Sequence, residues 1–133
     1  MSRENVEIVR KFFAMIDCGN DEAWDLLPAD FIVDLSRRLL DPVILRGPGA
    51  MRAFYRDLDA TWADGASLEI EELIDAGDKV LVLIRYGGRG KMSGVGVEAL
   101  VWNLWAFRGG RPDEWTYFGE DRPAALEAAG LSE

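Results

Sequence analysis

Val9, Phe12, Phe13 and Ile16 recur at three- and four-residue spacing, the period of a helix with one apolar face, and Gly19 offers a stop. A first helix is therefore predicted over about residues 3–18. Asn20 is a capping residue type ahead of a short second helix that carries Trp24 and Leu27 and is interrupted by Pro28. Asp30 to Leu35 reads as a short strand, and an irregular stretch through Asp41-Pro42 leads to Gly47-Pro48. Proline near the first helical position opens a third helix, with the stripe Met51, Phe54, Tyr55, Leu58 and Trp62.

After Gly65 the period shortens to that of strands. They are predicted over 67–74, Lys79 to Tyr86 and 95–108, with an Ala-Gly-Asp turn at 76–78 and a glycine-rich connection at 87–94. Arg108-Gly-Gly-Arg111 turns the chain into a last strand at roughly 114–119, and Asp121 to Gly130 has the form of a short capped helix. Helices first and a strand meander afterwards give an α+β fold, with helices on one face of an antiparallel sheet. Over 95–108 both alternating sets are apolar toward the C-terminal half, so both faces need cover. Helices cover one. The other presents Leu100, Trp102 and Leu104, and a homodimer through that patch is expected, since the C-terminal helix that could cover it instead is short.

Composition narrows the chemistry. The 133 residues hold 15 Lys plus Arg against 24 Asp plus Glu, a formal net charge of −9, with no histidine and one cysteine, Cys18. Without histidine there is no Ser-His-Asp or Cys-His catalysis and no His-ligated zinc, and one thiol supplies neither a cysteine cluster nor an internal disulfide. Acidity of this degree argues against nucleic acid and against an anionic membrane as partners. The start lacks the features of a signal peptide, and no apolar run approaches a membrane span, so a single cytoplasmic domain over residues 1–133 is expected. Glu69, Glu71, Glu72, Asp75 and Asp78 read as a solvated strand and turn, and no metal site is expected. Tyr86-Gly-Gly-Arg-Gly-Lys-Met-Ser-Gly94 is a strand connection: Met92 and Arg85 stand where a phosphate-binding loop needs Ser or Thr and Gly.

The order helix, Gly19-Asn20-Asp21, short helix, strand, Arg46-Gly-Pro-Gly-Ala-Met-Arg-Ala-Phe-Tyr-Arg56 and meander resembles the nuclear-transport-factor-two-like superfamily. That superfamily includes ketosteroid isomerases, limonene-epoxide hydrolases and SnoaL-type polyketide cyclases. Trp115-Thr-Tyr-Phe-Gly119, Ala124 to Leu131, Gly90-Lys-Met-Ser-Gly94 and Arg108-Gly-Gly-Arg111 are similar to the SnoaL-like branch. The resemblance implies a cone: a curved antiparallel sheet with helices packed on its concave face. It implies a small hydrophobic ligand in the cone and no cofactor. The reaction is less constrained, because one fold hosts many chemistries.

Carried over from the isomerases, whose oxyanion hole is a tyrosine and a protonated aspartic acid, the tyrosine position falls on Phe12 and the acid position on Asn103. An amide still offers an N–H donor, aimed at a ligand carbonyl or satisfied by Tyr55 or water. The base position lies at Asp34 or Leu35, a one-residue choice that reverses the face of the strand. Asp34 is the candidate base, with pairing to Arg37, Arg38 or Arg46 as the structural alternative. Tyr55 matches a tyrosine that supports the oxyanion tyrosine. The epoxide hydrolases' Asp-Arg-Asp set falls on Ala99, Val101 and Thr116, and the cyclases' histidine has no counterpart. The candidate catalytic residues are thus Asp34 and Asn103. Phe12, Tyr55, Trp62, Tyr86 and Trp105, with Thr116 and Phe118, are the candidate ligand contacts on the inner face. Ser36, Arg37 and Arg38 fall near the mouth, where an acidic ligand could meet them, although surface arginines ordinarily serve solvation. Two readings follow: an isomerase- or cyclase-like acid/base enzyme, and a non-catalytic ligand-binding module or dimeric interaction domain.

Overall fold

A computed structural model describes residues 2–39, 42–60, 62 and 67–131. Helix α1 (Ser2–Asp17) buries Val9, Phe12 and Phe13, as the spacing of its apolar residues requires. Gly19, at φ 79°, closes it, and the Asn20 side chain accepts from the Glu22 backbone N–H at 3.0 Å to cap a single 3-10 segment, Asp21–Leu26. Trp24 is buried on that segment's inner side.

Strand β1 (Ile32–Asp34) pairs with β2 (Ile44–Arg46). Much of the stretch expected to be irregular is therefore an antiparallel hairpin, closed by Leu35 N–H donating to the Val43 carbonyl at 2.8 Å. Asp41, within that expectation, lies outside the described residues, as does Gly65. Helix α2 (Pro48–Asp59) follows a turn at Gly47, whose φ is 85°. A Cβ there would meet the Ala29 carbonyl oxygen at 2.9 Å, so both backbone conformation and space demand glycine. Met51, Phe54 and Tyr55 form the inward stripe of α2; the side chain of Leu58 lies outside the described residues. Trp62 does not continue that stripe. It lies past the helix end, in an isolated bridge with Gly90.

The meander runs β3 (Ser67–Asp75), β4 (Lys79–Arg89), β5 (Gly96–Arg108) and β6 (Arg111–Gly119), and the sheet order is β2-β1-β6-β5-β4-β3. The sheet is curved and unclosed, and the fold is the α+β roll that the resemblance implied. One pairing departs from the antiparallel expectation: β1 runs parallel to β6. β4 also continues through Arg89, into the segment expected to be all connection. A bulge between Ile70 and Glu72 inserts one residue into β3. It lets Leu68, Ile70 and Leu73 all pack on the inner core while Ile74 turns outward.

The concave face carries Val80, Val82, Ile84, Trp105, Phe107 and Trp115 against α1, the 3-10 segment and α2. The outer face carries Leu81, Trp102, Leu104 and Phe118. These pack under α3 (Arg122–Ala128) and the residue after it, through Ala125, Leu126 and Ala129. Asp121 caps α3 by accepting from Ala124 N–H at 3.1 Å, and Lys79 Nζ donates to the Ala128 carbonyl at 3.0 Å, a cation on the helix C-terminus. Trp102 and Leu104 are consequently only 6% and 7% exposed, and they do not form the open patch the alternation suggested. A helix under two turns long suffices because its contact side is mostly alanine, which lets it lie close to the sheet. Leu100 remains 44% exposed, along with Val95 and Val97.

Two stability outcomes follow. Leu126→Ala is expected to cost about 2–4 kcal/mol in urea unfolding, because it opens a cavity between α3 and the sheet. Gly47→Ala is expected to cost more than about 1 kcal/mol for its left-handed backbone alone. Gly49→Ala, in the first turn of α2 with nothing within 4 Å of an added Cβ, is expected to be neutral or stabilising in the same assay.

Candidate ligand-binding cavity

Between α2 and the concave face lies a cavity of about 230 Å³. Its apolar walls include Leu35 from the end of β1, Phe54 and Tyr55 from α2, and Ile84 and Val101 from the sheet. Trp62 and Tyr86 close one side, Trp115 and Tyr117 the other, and the polar groups Asn103 and Arg38 complete it. Trp62 fits because β4 has glycine where the indole lands: a Cβ on Gly88 would meet Trp62 Cδ2 and Cε3 at 3.0 Å. The Trp62 Nε1–H donates to the Tyr86 hydroxyl oxygen at 2.9 Å, tying this wall to β4.

Asn103 sits at the buried end, 2% exposed. Strand pairing sets it opposite Val82 on β4 and Tyr117 on β6, all facing the concave side. Its Oδ1 accepts from Trp115 Nε1–H at 2.6 Å. An indole N–H only donates, so the atom it meets must be the amide oxygen, and the orientation of the amide is thereby fixed. The Nδ2 hydrogens are turned away from Trp115, and among the described residues no acceptor takes them. The protein partner of the Asn103 amide is thus Trp115 rather than Tyr55. Trp115 is itself held in a stack, 5.4 Å from the Trp105 ring at 18° and 6.1 Å from Tyr55 at 25°.

Arg38 stands at the open end. Its guanidinium carbon is 5.2 Å from the Phe54 ring centroid. Burial pushes the Tyr55 hydroxyl well above the ordinary tyrosine range, with the neighbouring Tyr86 adding to the rise and Arg38 opposing it. Burial likewise raises Tyr117, again against Arg38, with Glu120 adding to the rise. Both phenols therefore keep their protons at neutral pH. Among the described residues no Asp or Glu lines the cavity, and the chain has no histidine. The lining offers donors and an apolar surface, and no group ready to accept a proton.

Of the residues singled out from sequence, Tyr55, Trp62, Tyr86 and Asn103 meet at this cavity. Phe12 and Trp105 do not reach it: both are fully buried in the aromatic core beneath, their rings 5.2 Å apart. Thr116 and Phe118 are on the wrong face. Trp115 pairs with Trp105 and Tyr117 with Asn103, so alternation turns Thr116 outward, and Phe118 packs beneath α3. Asp34 is also outside. Val33 and Leu35 both point into the core, which sends the residue between them to the opposite face, where its Oδ1 accepts from the Ser36 N–H at 2.9 Å and from the Ser36 hydroxyl. It pairs with none of Arg37, Arg38 or Arg46 among the described ion pairs; Arg37 instead lies over the Phe118 ring at 4.6 Å. Trp115 and Tyr117, with Phe54 and Leu68, are contacts the sequence reading missed. The signal for the first two was present in Trp115-Thr-Tyr-Phe118, but both alternating sets there are bulky, and only the pairing with β5 decides between them.

Solved structures share this architecture. Bal32a, from a soil-derived mobile gene cassette, is 16% identical, covers 90% of this chain and 92% of its own, and superposes with a TM-score of 0.78. A protein of ketosteroid isomerase-like fold from Catenulispora acidiphila DSM 44928, in complex with trimethylamine, is 21% identical over 95% of this chain and 94% of its own, with a TM-score of 0.70. TerC, co-crystallised with polyporic acid, is 17% identical over 96% and 98%, with a TM-score of 0.73. At such identities the likeness is one of fold. No curated protein matches the chain. The SnoaL-like domain family does match, over residues 9–115, most of the chain, so the chain belongs to the SnoaL-like family.

Proposed function

We propose that this protein binds a small, largely apolar molecule in its cone, with an acceptor oxygen of the ligand on the Asn103 amide. The observation that carries this reading is the hydrogen bond from Trp115 to Asn103 Oδ1, which leaves two amide hydrogens directed away from the protein's own acceptors. An amide N–H on the cavity wall gains about 0.5–1.5 kcal/mol net from a ligand carbonyl. About 230 Å³ suits a ligand of roughly ten to fifteen non-hydrogen atoms, below the usual range of drug-sized sites. The small molecules held by the TerC and Catenulispora structures support a ligand-binding role for this fold.

Binding and polarisation fit the lining better than acid/base turnover. With Asp34 on the outer face, the described residues bring no proton acceptor to the cavity. A polarised carbonyl without a base is held rather than converted, unless the ligand carries its own base.

Of the outer-face residues Leu100, Trp102 and Leu104, Leu100 is the one left open for a homodimer, since alternation along β5 turns Val97 to the other face. A dimer through the outer face around Leu100 stays part of the proposal, with Trp102 and Leu104 excluded from its seam by α3. Light scattering on folded protein at micromolar concentration is expected to give twice the monomer mass; a monomer there removes the dimer.

The carbonyl reading is tested with 2-acetylnaphthalene and 2-ethylnaphthalene, which differ in the acceptor oxygen, titrated against tryptophan fluorescence. The ketone is expected to bind about tenfold tighter, the difference of one good hydrogen bond. Asn103→Leu is expected to erase that difference. It also unpairs the Trp115 N–H, lowering stability by about 1–3 kcal/mol. Equal affinities in the unaltered protein would show that Asn103 does not read an acceptor.

A further inference from the structure

We infer that the cavity selects an anion, a small and largely apolar carboxylate whose acid group sits on Arg38 at the open end while its body fills the space behind. The inference rests on the binding reading above and adds the charge of the ligand to it.

Arg38 belongs to the cavity lining and is half-buried, so its guanidinium has given up part of its hydration. It lies over the ring of Phe54. A guanidinium over a ring face still has N–H groups to donate, and a carboxylate can meet them with two parallel hydrogen bonds. Among the described residues no carboxylate takes them. Elsewhere in the chain half-buried arginines are paired: Arg52 with Asp25 at 3.1 Å, and Arg85 with Glu71. In a protein with 24 acidic and 15 basic residues, a cavity-lining cation with no acid beside it is best explained by an acid that comes from outside.

The neighbours agree with this. Tyr55 and Tyr117 share the field of Arg38 and keep their hydroxyl protons, so they add donors at that end without adding negative charge. One guanidinium and two neutral phenols match a single negative charge better than the double charge of a phosphate monoester. The net charge of −9 repels an anion at long range, but surface charges are screened beyond about 8 Å at physiological salt, whereas the contact with Arg38 lies inside that distance. The contact therefore decides affinity.

The test is titration of the protein with 2-naphthoate and its neutral counterpart 2-naphthamide, followed by tryptophan fluorescence. Naphthoate is expected to bind at least about tenfold tighter, the effect of a charge-assisted hydrogen bond. Arg38→Met keeps an apolar stem against Phe54 and is expected to remove that preference, weakening naphthoate about tenfold and naphthamide by less than about twofold. Arg38→Lys, which keeps the charge, is expected to retain part of the preference. Equal affinity of the unaltered protein for the two probes, or equal weakening of both by Arg38→Met, overturns the inference. The binding reading then still stands or falls on the ketone pair. Failure of the unaltered protein to bind either naphthyl probe overturns both.

Discussion

The indole N–H of Trp115 has one proton to give and no lone pair to receive with, and the polarity of the cavity depends on that one-sidedness. Asparagine is ambidextrous; left alone in a cone it could present either end. Fixed by Trp115 at 2.6 Å, it presents only its amide hydrogens. The same indole is clamped between the rings of Trp105 and Tyr55, so the orientation of a polar group is enforced by apolar packing. Tyr55, in turn, is partly buried by its place in that stack, and that desolvation raises its hydroxyl. One contact thus ties core, helix α2 and cavity together.

That contact depends on strand register. The sheet brings Asn103 opposite Tyr117 and Trp105 opposite Trp115 because β6 carries bulges where it meets Trp102/Asn103 and Ala106/Phe107. Phe118 then faces outward and gives α3 something to cover. The two faces of the sheet are therefore linked. A slip of one residue would move the cavity's aromatic groups under α3 and put Phe118 in the cone.

Helix positions and the strand meander were legible in the sequence because their periods are clear: Val9, Phe12, Phe13 and Ile16 fit only a helix, and the meander is punctuated by glycine turns. The α2 stripe placed Tyr55 correctly, and alternation within β5 placed Asn103. Legibility failed where two alternating sets were equally apolar. Thr116 and Phe118 could not be told from Trp115 and Tyr117 without knowing their partners on β5, and Asp34 could not be told from Leu35 without knowing that Val33 faces inward. Strand β2 was hidden for a different reason. Three residues carry no period, and its existence follows from pairing with β1. Trp62 fell on the helical stripe by count, but reaches the cavity by another route, through its bridge to Gly90 and the space left by Gly88.

The missing histidines acquire a meaning beyond the reactions they exclude. Among the described residues, the cavity holds no imidazole or carboxylate, and two of its phenols are pushed away from neutrality by burial. From about pH 5 to pH 8, the interval where histidine would change its charge, both phenols keep their protons. For a ligand bound as inferred above, a change in occupancy over that interval would report the ionisation of the guest, with the cone as a fixed mould against which the ligand's own acidity is read.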